Sequence, residues 1–272
     1  MKKYWQIISN TWQEYFVYRI NFSIWRIRSF ISFAMVYFFW WAVFTGQSGR
    51  GLAAFDWNES QILTYIIGMA LLRSIVFSSR TIDVGGEINQ GNLTNYLLKP
   101  LNFVTYWFSR DIADKILNIV CAVFELTLFF SILKPNLFWQ TNIFYLSFFI
   151  LTIILATILY FYINLFLGLI AFWTPESWSG IWGPRFVFMI ILEFFGGTIF
   201  PLDFLPKSFL NFLNLTPFPY LIYFPLKIYL GKITSLEIIL GLAICFLWVF
   251  MWHFIIERTW RAGLRVYGAE GR

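Results

Sequence analysis

The stretch "IFYLSFFILTIILATILYFYINLFLGLIAFW", Ile143 to Trp173, contains no charged residue. A helix needs ~20 predominantly apolar residues to cross the hydrocarbon layer of a bilayer. This run exceeds that length, so it predicts a helix that crosses with tilt or projects beyond the bilayer. The chemistry around it is similar. Of the 272 residues, 59% are hydrophobic and 12% charged, against roughly 25% charged in a soluble domain. The chain carries 34 Phe, 14 Trp and 14 Tyr. One soluble core could not hide so much apolar surface, so the solvent for most of the chain is lipid and the fold class is all-α integral membrane.

Working outward from this run, apolar periodicity predicts six spans. They cover about Phe30–Phe44, Gln61–Ser79, Ile116–Leu133, Ile143–Trp173, Arg185 to "FGGTIFP" (195–201), and Leu236–Ile256. The first run is short and must borrow flanking residues. Lys134-Pro135-Asn136 stops the third, and loops are expected at Thr45–Ser60 and Thr174–Pro184. Residues 201–233 are apolar but interrupted by Pro201, Pro206, Pro217, Pro219 and Pro225, which suits short re-entrant helices rather than a crossing. At the start, Trp5, Ile8, Trp12, Tyr15 and Phe16 recur at helical spacing, with Gln6, Asn10, Gln13 and Glu14 mostly elsewhere. That pattern predicts an amphipathic helix lying in the membrane interface. No apolar h-region or small-residue cleavage site is apparent there, so the segment is expected to remain in the mature protein.

The result is a single domain, 1–272. It comprises an interface helix (1–28), spans one and two (29–79), a polar segment (80–115), spans three to five (116–200), a re-entrant region (201–233), and span six with a tail (234–272).

The net charge is +6. In this setting it reports topology rather than nucleic-acid binding. Of 20 Lys and Arg, fourteen fall at the termini or in loops on their side, five fall on the opposite side, and Arg73 lies within span two. The positive-inside rule then places both termini, and residues 80–115, in the cytoplasm. Cys121 and Cys245 lie in apolar runs with no metal or disulfide spacing, which predicts buried thiols.

The polar segment begins "RTIDVGGEINQGNLTNYLLKPLNF", Arg80 to Phe103. Gly86 to Asn92 nearly spells a phosphate loop. However, Asn92 and Leu93 stand where the lysine and hydroxyl of G-x-x-x-x-G-K-[ST] belong. No strand precedes it, and Asp83 and Glu87 would repel a polyphosphate. The residues suit a docking module instead. Gly85-Gly86 and Gly91 supply turns that would resist bulk. Two short helices follow, the second starting near Pro100, with Asp111–Lys115 and Arg110–Asp114 at i,i+4 spacing.

Three features together resemble the membrane subunit of a type-2 ABC (ATP-binding cassette) transporter, a branch dominated by exporters. They are the amphipathic helix before span one, "GEINQGNLTNYLLKPLNF" after span two, and "GGTIFPLDFLPKSFLNFLNLTPFPYLIYFPLKIYLG" (196–231) after span five. The resemblance covers essentially the whole chain, and the last motif is its most specific part. It implies a permease with no catalytic site and no cofactor of its own, ATP and magnesium being held by two separate cytoplasmic ATPase subunits. It implies pairing with a second permease, the same or a sister chain, in the cytoplasmic (inner) membrane of a prokaryote. Carried over by position, Glu87, Gly91, Leu93, Leu97 and Pro100 fall on the ATPase-coupling segment. Gly197, Phe200, Pro201, Leu205 and Pro206 fall on the extracellular re-entrant motif.

Polar residues in spans are costly and carry functional hypotheses. Arg73, Glu125, Asn164 and Glu193 are the candidates here. They either line a translocation path for cationic or amphipathic substrates or pair internally. His253, the one histidine, reads as interfacial packing, since metal sites need several ligands. Two other classes remain open. A lipid-modifying membrane enzyme should cluster His, Asp or Glu at a membrane face, which this chain does not do. A non-transporting scaffold leaves no sequence signature.

Overall fold

A computed structural model describes residues 2–45, 57–98, 100–174 and 178–267. The expected loop at 45–60 falls mostly outside these residues, as do Lys99, part of the 174–184 loop and the last five residues of the tail. Among the described residues all regular structure is helical. The long helices are α1 (Lys2–Val17), α2 (Arg19–Thr45), α3 (Glu59–Val76), α6 (Phe103–Leu133), α7 (Ile143–Leu169, continued by a 3-10 turn, Ile170–Trp173), α8 (Trp178–Phe195) and α11 (Ser235–Val266). Shorter helices are α4 (Val84–Asn89), α5 (Leu93–Leu97), α9 (Lys207–Leu213) and α10 (Tyr223–Tyr229). Short 3-10 turns cover Arg80–Asp83 and Leu202–Phe204.

Among the described residues, five helices are long and apolar enough to cross a membrane: α2, α3, α6, α7 with its 3-10 turn, and α11. The six expected spans are therefore not all matched. At the fifth position stands α8, 18 residues long, with Pro184 inside it. It begins before Arg185, where the sequence suggested a loop through Pro184. It stops at Phe195 because Gly197 adopts φ +77°, a left-handed conformation that favours glycine. The first span also differs. Its helix starts at Arg19 and carries Arg26 and Arg28 within it, and Arg26 is neutralised there by a carboxylate from α6. The α6 helix begins at Phe103 rather than near Pro100, because the Asn102 side chain caps it by accepting from Thr105 N at 3.1 Å. It ends where expected, at Lys134, whose φ of 42° reverses the chain.

Two apolar cores form. The larger joins α2, α3, α7, α11 and the 201–233 region. The whole of α10 sinks into it, with Tyr223, Phe224, Leu226 and Ile228 buried. Glycines make room for it. A Cβ on Gly68 would stand 2.6 Å from Leu226, and one on Gly241 would stand 2.2 Å from the Phe224 ring. The smaller core gathers Val84, Ile88, Leu93, Trp107, Phe161, Leu165, Leu169, Ala171, Phe172 and Ile256. It anchors residues 80–97 to α6, α7 and α11.

Candidate functional site

The segment after α3 is held by buried charge. Asp111, fully buried on α6, accepts from Ser79 Oγ at 2.5 Å and from Arg80 N at 3.2 Å. Lys115, one turn on, pairs with Asp111 at 3.1 Å and donates to the carbonyls of Val76, at 3.2 Å, and Ser78. This knot closes the end of α3, where the last carbonyls of a helix lack partners and favour a cation. Arg80 pairs with Asp83 at 3.2 Å and lies 4.1 Å over the Tyr15 ring.

Glu14 of α1 joins the same network, pairing with Arg110 at 2.5 Å and with Arg80 at 3.8 Å. The expected Arg110–Asp114 pair is not formed, because Glu14 takes Arg110 and Asp114 accepts from Tyr15. The role expected of α1 is also corrected in part. Trp12 donates to the Ala113 carbonyl at 2.8 Å. Trp12, Glu14 and Tyr15 therefore face protein, and Trp5 and Phe16 are left exposed. An apolar stripe looks the same in sequence whether lipid or another helix covers it.

The coupling candidates separate into anchors and surface. Leu93 is fully buried. Gly91 has φ +75°, and its carbonyl accepts from Tyr267 Oη at 2.8 Å. Burial pushes the Glu87 carboxyl above its usual range, partly offset by the Arg110 guanidinium. Leu97 and Pro100 lie at the surface, with Leu97 at 47% and its neighbour Leu98 at 81% exposure. Val84 reaches α7 at Gly168, where a Cβ would stand 2.9 Å from it. Gly86 departs from expectation. It lies inside α4, and a Cβ added there would meet no atom within 4 Å, so only Gly91 is a turn that resists bulk.

Both candidate glutamates in the spans are paired. Glu193 and Arg73 form a two-pronged pair at 2.9 and 2.5 Å, and Thr198 Oγ1 donates to the same carboxylate at 2.5 Å. Glu125 pairs with Arg26 at 2.8 and 2.6 Å, with Asn118 accepting from Arg26 at 3.1 Å. The pairs differ in setting. The Arg73 and Glu193 side chains are 40% and 34% exposed, while Arg26 and Glu125 are more enclosed. Asn164 is buried, with its side chain donating to the Tyr160 carbonyl at 3.1 Å. His253 contacts Tyr162 at 3.1 Å and Glu257 at 3.4 Å on an exposed face.

The motif after α8 is a built turn. Tyr65 Oη donates to the Gly197 carbonyl at 2.5 Å, and a Cβ there would meet that oxygen at 2.6 Å. Pro201 is buried, Phe200 and Leu205 half-buried, and Pro206 exposed. Asp203 pairs with Lys227 at 2.8 Å and accepts from Tyr223 at 2.7 Å, which fastens this turn to α10. Glu14, Arg26, Arg185 and Tyr267 are the polar residues whose partners sequence reading did not supply. Those partners lie from 21 to 176 positions away, beyond any local spacing.

No curated protein and no solved structure matches the chain. A family model described as ABC-2 family transporter protein matches residues 30–271. These residues hold four of the five helices long and apolar enough to cross a membrane and the later part of α2, together with the anchored 80–98 segment and the Gly197–Pro206 turn, and by this match the chain belongs to the ABC-2 family of transporter membrane proteins.

Proposed function

We propose that the chain is the permease subunit of an ATP-driven exporter. Two such subunits, two copies or one copy with a sister chain, enclose the translocation path, and separate cytoplasmic ATPase subunits supply ATP and magnesium chemistry. The observation that carries the docking assignment is the contrast within residues 80–100. The back of the segment is locked by the Asp111–Lys115 knot and the Val84, Ile88 and Leu93 anchors. The front presents Leu97 and Leu98. A rigid backing under exposed leucines suits a surface that receives a partner and passes its movement on.

In this reading α8 also crosses, as the fifth of six spans, both termini lie in the cytoplasm, and the 201–233 region is re-entrant from the opposite face of a prokaryotic inner membrane. The charge distribution along the chain supports that orientation. The half-exposed Arg73–Glu193 pair supports a water-lined or subunit-covered face formed by α3 and α8, since ion pairs in spans turn away from lipid.

The test is co-purification with the ABC ATPases of the host. The native chain should retain an ATPase. A chain with residues 87–100 scrambled should insert normally and lose it. A chain that transports without any ATPase overturns the reading.

A further inference from the structure

Arg185 is 2% exposed and makes no ion pair among the described residues. Its Nη2 donates to the Thr81 carbonyl at 3.2 Å and the Asn164 carbonyl at 3.4 Å, while Nε and Nη1 have no partner. Every other buried cation in this part of the molecule is paired: Lys115 with Asp111, and Arg110 with Glu14. A buried guanidinium without a carboxylate is destabilising compared with an apolar side chain of similar volume. An unsatisfied buried group of this kind calls for an explanation outside stability.

Its position supplies one. Thr81 sits in the Arg80–Asp83 turn, which Asp111, Ser79 and Glu14 hold. Arg185 sits on α8, whose outward side chains Phe186, Val187, Met189, Ile190 and Phe194 are exposed. With little packing on that face, polar links matter more for α8 than for its neighbours. Among the described residues these links are Arg185 to the Thr81 carbonyl of the turn and the Asn164 carbonyl of α7, and Glu193 to Arg73 eight residues further on, roughly 12 Å along the helix.

We infer that Arg185 is the positioning residue through which displacement of the 80–83 turn reaches α8, and through α8 the Arg73–Glu193 pair. The hold on Thr81 is a bond to one backbone oxygen, so it follows the turn and not any side chain on it. Because Nε and Nη1 have no hydrogen-bond partner and the guanidinium makes no ion pair among the described residues, it can exchange carbonyl partners as the turn moves. This inference rests on the proposed coupling to an ATPase.

The experiment uses the permease–ATPase complex in lipid nanodiscs, with Cys121 and Cys245 replaced by serine and Ile190→Cys as a reporter on α8. Maleimide labelling is timed with and without a non-hydrolysable ATP analogue. With native Arg185, the analogue should change the labelling rate by about fivefold or more, the lower end of ordinary inter-site coupling. Arg185→Met should retain the ATPase, unfold at a higher temperature and show no nucleotide response. Arg185→Lys, which keeps a donor and a charge, should recover part of the response.

A native-sized response in Arg185→Met overturns the inference. So does a fall in unfolding temperature with loss of the complex, since Arg185 would then only hold the fold. If the native complex binds ATPase but labelling ignores nucleotide, the link fails while docking stands. If no ATPase is retained at all, the proposed function fails and takes the inference with it.

Discussion

At the α10 end of the bundle, elements are joined mainly by shape. Phe224 and Leu226 enter spaces that Gly241 and Gly68 leave open, and Tyr65 and Asp203 pin the turn beside them. At the α1 end the joints are mainly ionic: Asp111 with Lys115, Glu14 with Arg110, and Arg185 on bare carbonyls. Close packing has one good arrangement and resists small displacements. Directional polar contacts can trade one partner for another as a turn shifts. The contrast fits a molecule whose α10 end is a fixed frame and whose α1 end takes up movement.

The largest expected effect comes from halving the knot. Asp111→Asn takes away the carboxylate that pairs with the buried Lys115 ammonium and should cost about 3–5 kcal/mol, read as a lowered unfolding temperature in micelles. Replacing both partners by apolar residues, Asp111→Leu with Lys115→Met, should restore most of that loss. If the double variant is no more stable than the single, the knot holds the fold as firmly as packing does and the contrast collapses. Next is Gly241→Ala at the packed end. Its Cβ would fall 2.2 Å from the Phe224 ring, and overpacking of this kind costs about 1–3 kcal/mol. Thermal unfolding unchanged by that substitution would mean that α10 is loosely seated.

The smallest effects separate the two glycines of the 80–100 segment. Gly91→Val forces a β-branched residue to φ +75° and should cost about 1–2 kcal/mol in the turn itself. It should also uncouple ATP hydrolysis from transport while leaving insertion intact. Gly86→Ala fills empty space within a helix and should be neutral or stabilise by up to ~1 kcal/mol. Equal behaviour of the two variants in unfolding and ATPase assays would sink the distinction.

Much of the frame was legible because it obeys local rules. Lys134-Pro135 ends α6 where it should, and the Ile143–Trp173 run is one helix with a 3-10 finish. The 80–100 segment stood out in sequence as a polar unit after span two, but its backing did not. Gly86 and Gly91 look alike in sequence, and only the backbone angle tells them apart. Trp12 and Tyr15 lie on a stripe whose period says nothing of what covers it. Glu14 lies off that stripe, and its partner Arg110 is 96 positions away. Arg26 has its carboxylate partner, Glu125, 99 positions away. Long-range pairing of charges is set by how helices pack, and no spacing within one helix encodes it.

The α6 helix is continuous over 31 residues, from its Asn102 cap to Lys134. At the usual rise it is a rod roughly 46 Å long. Its buried charges, Arg110, Asp111, Asp114 and Lys115, cluster in the first half, and the second half is mostly apolar, with Glu125 its one charged residue. Such a rod is a lever with its fulcrum near the ionic end. From Lys115 to Leu133 the arm is roughly 27 Å, and a tilt of about 5° at the ionic end would swing the far tip by about 2 Å, so a movement too slight to break one hydrogen bond at the knot becomes a displacement longer than a carbon–carbon bond at the other end.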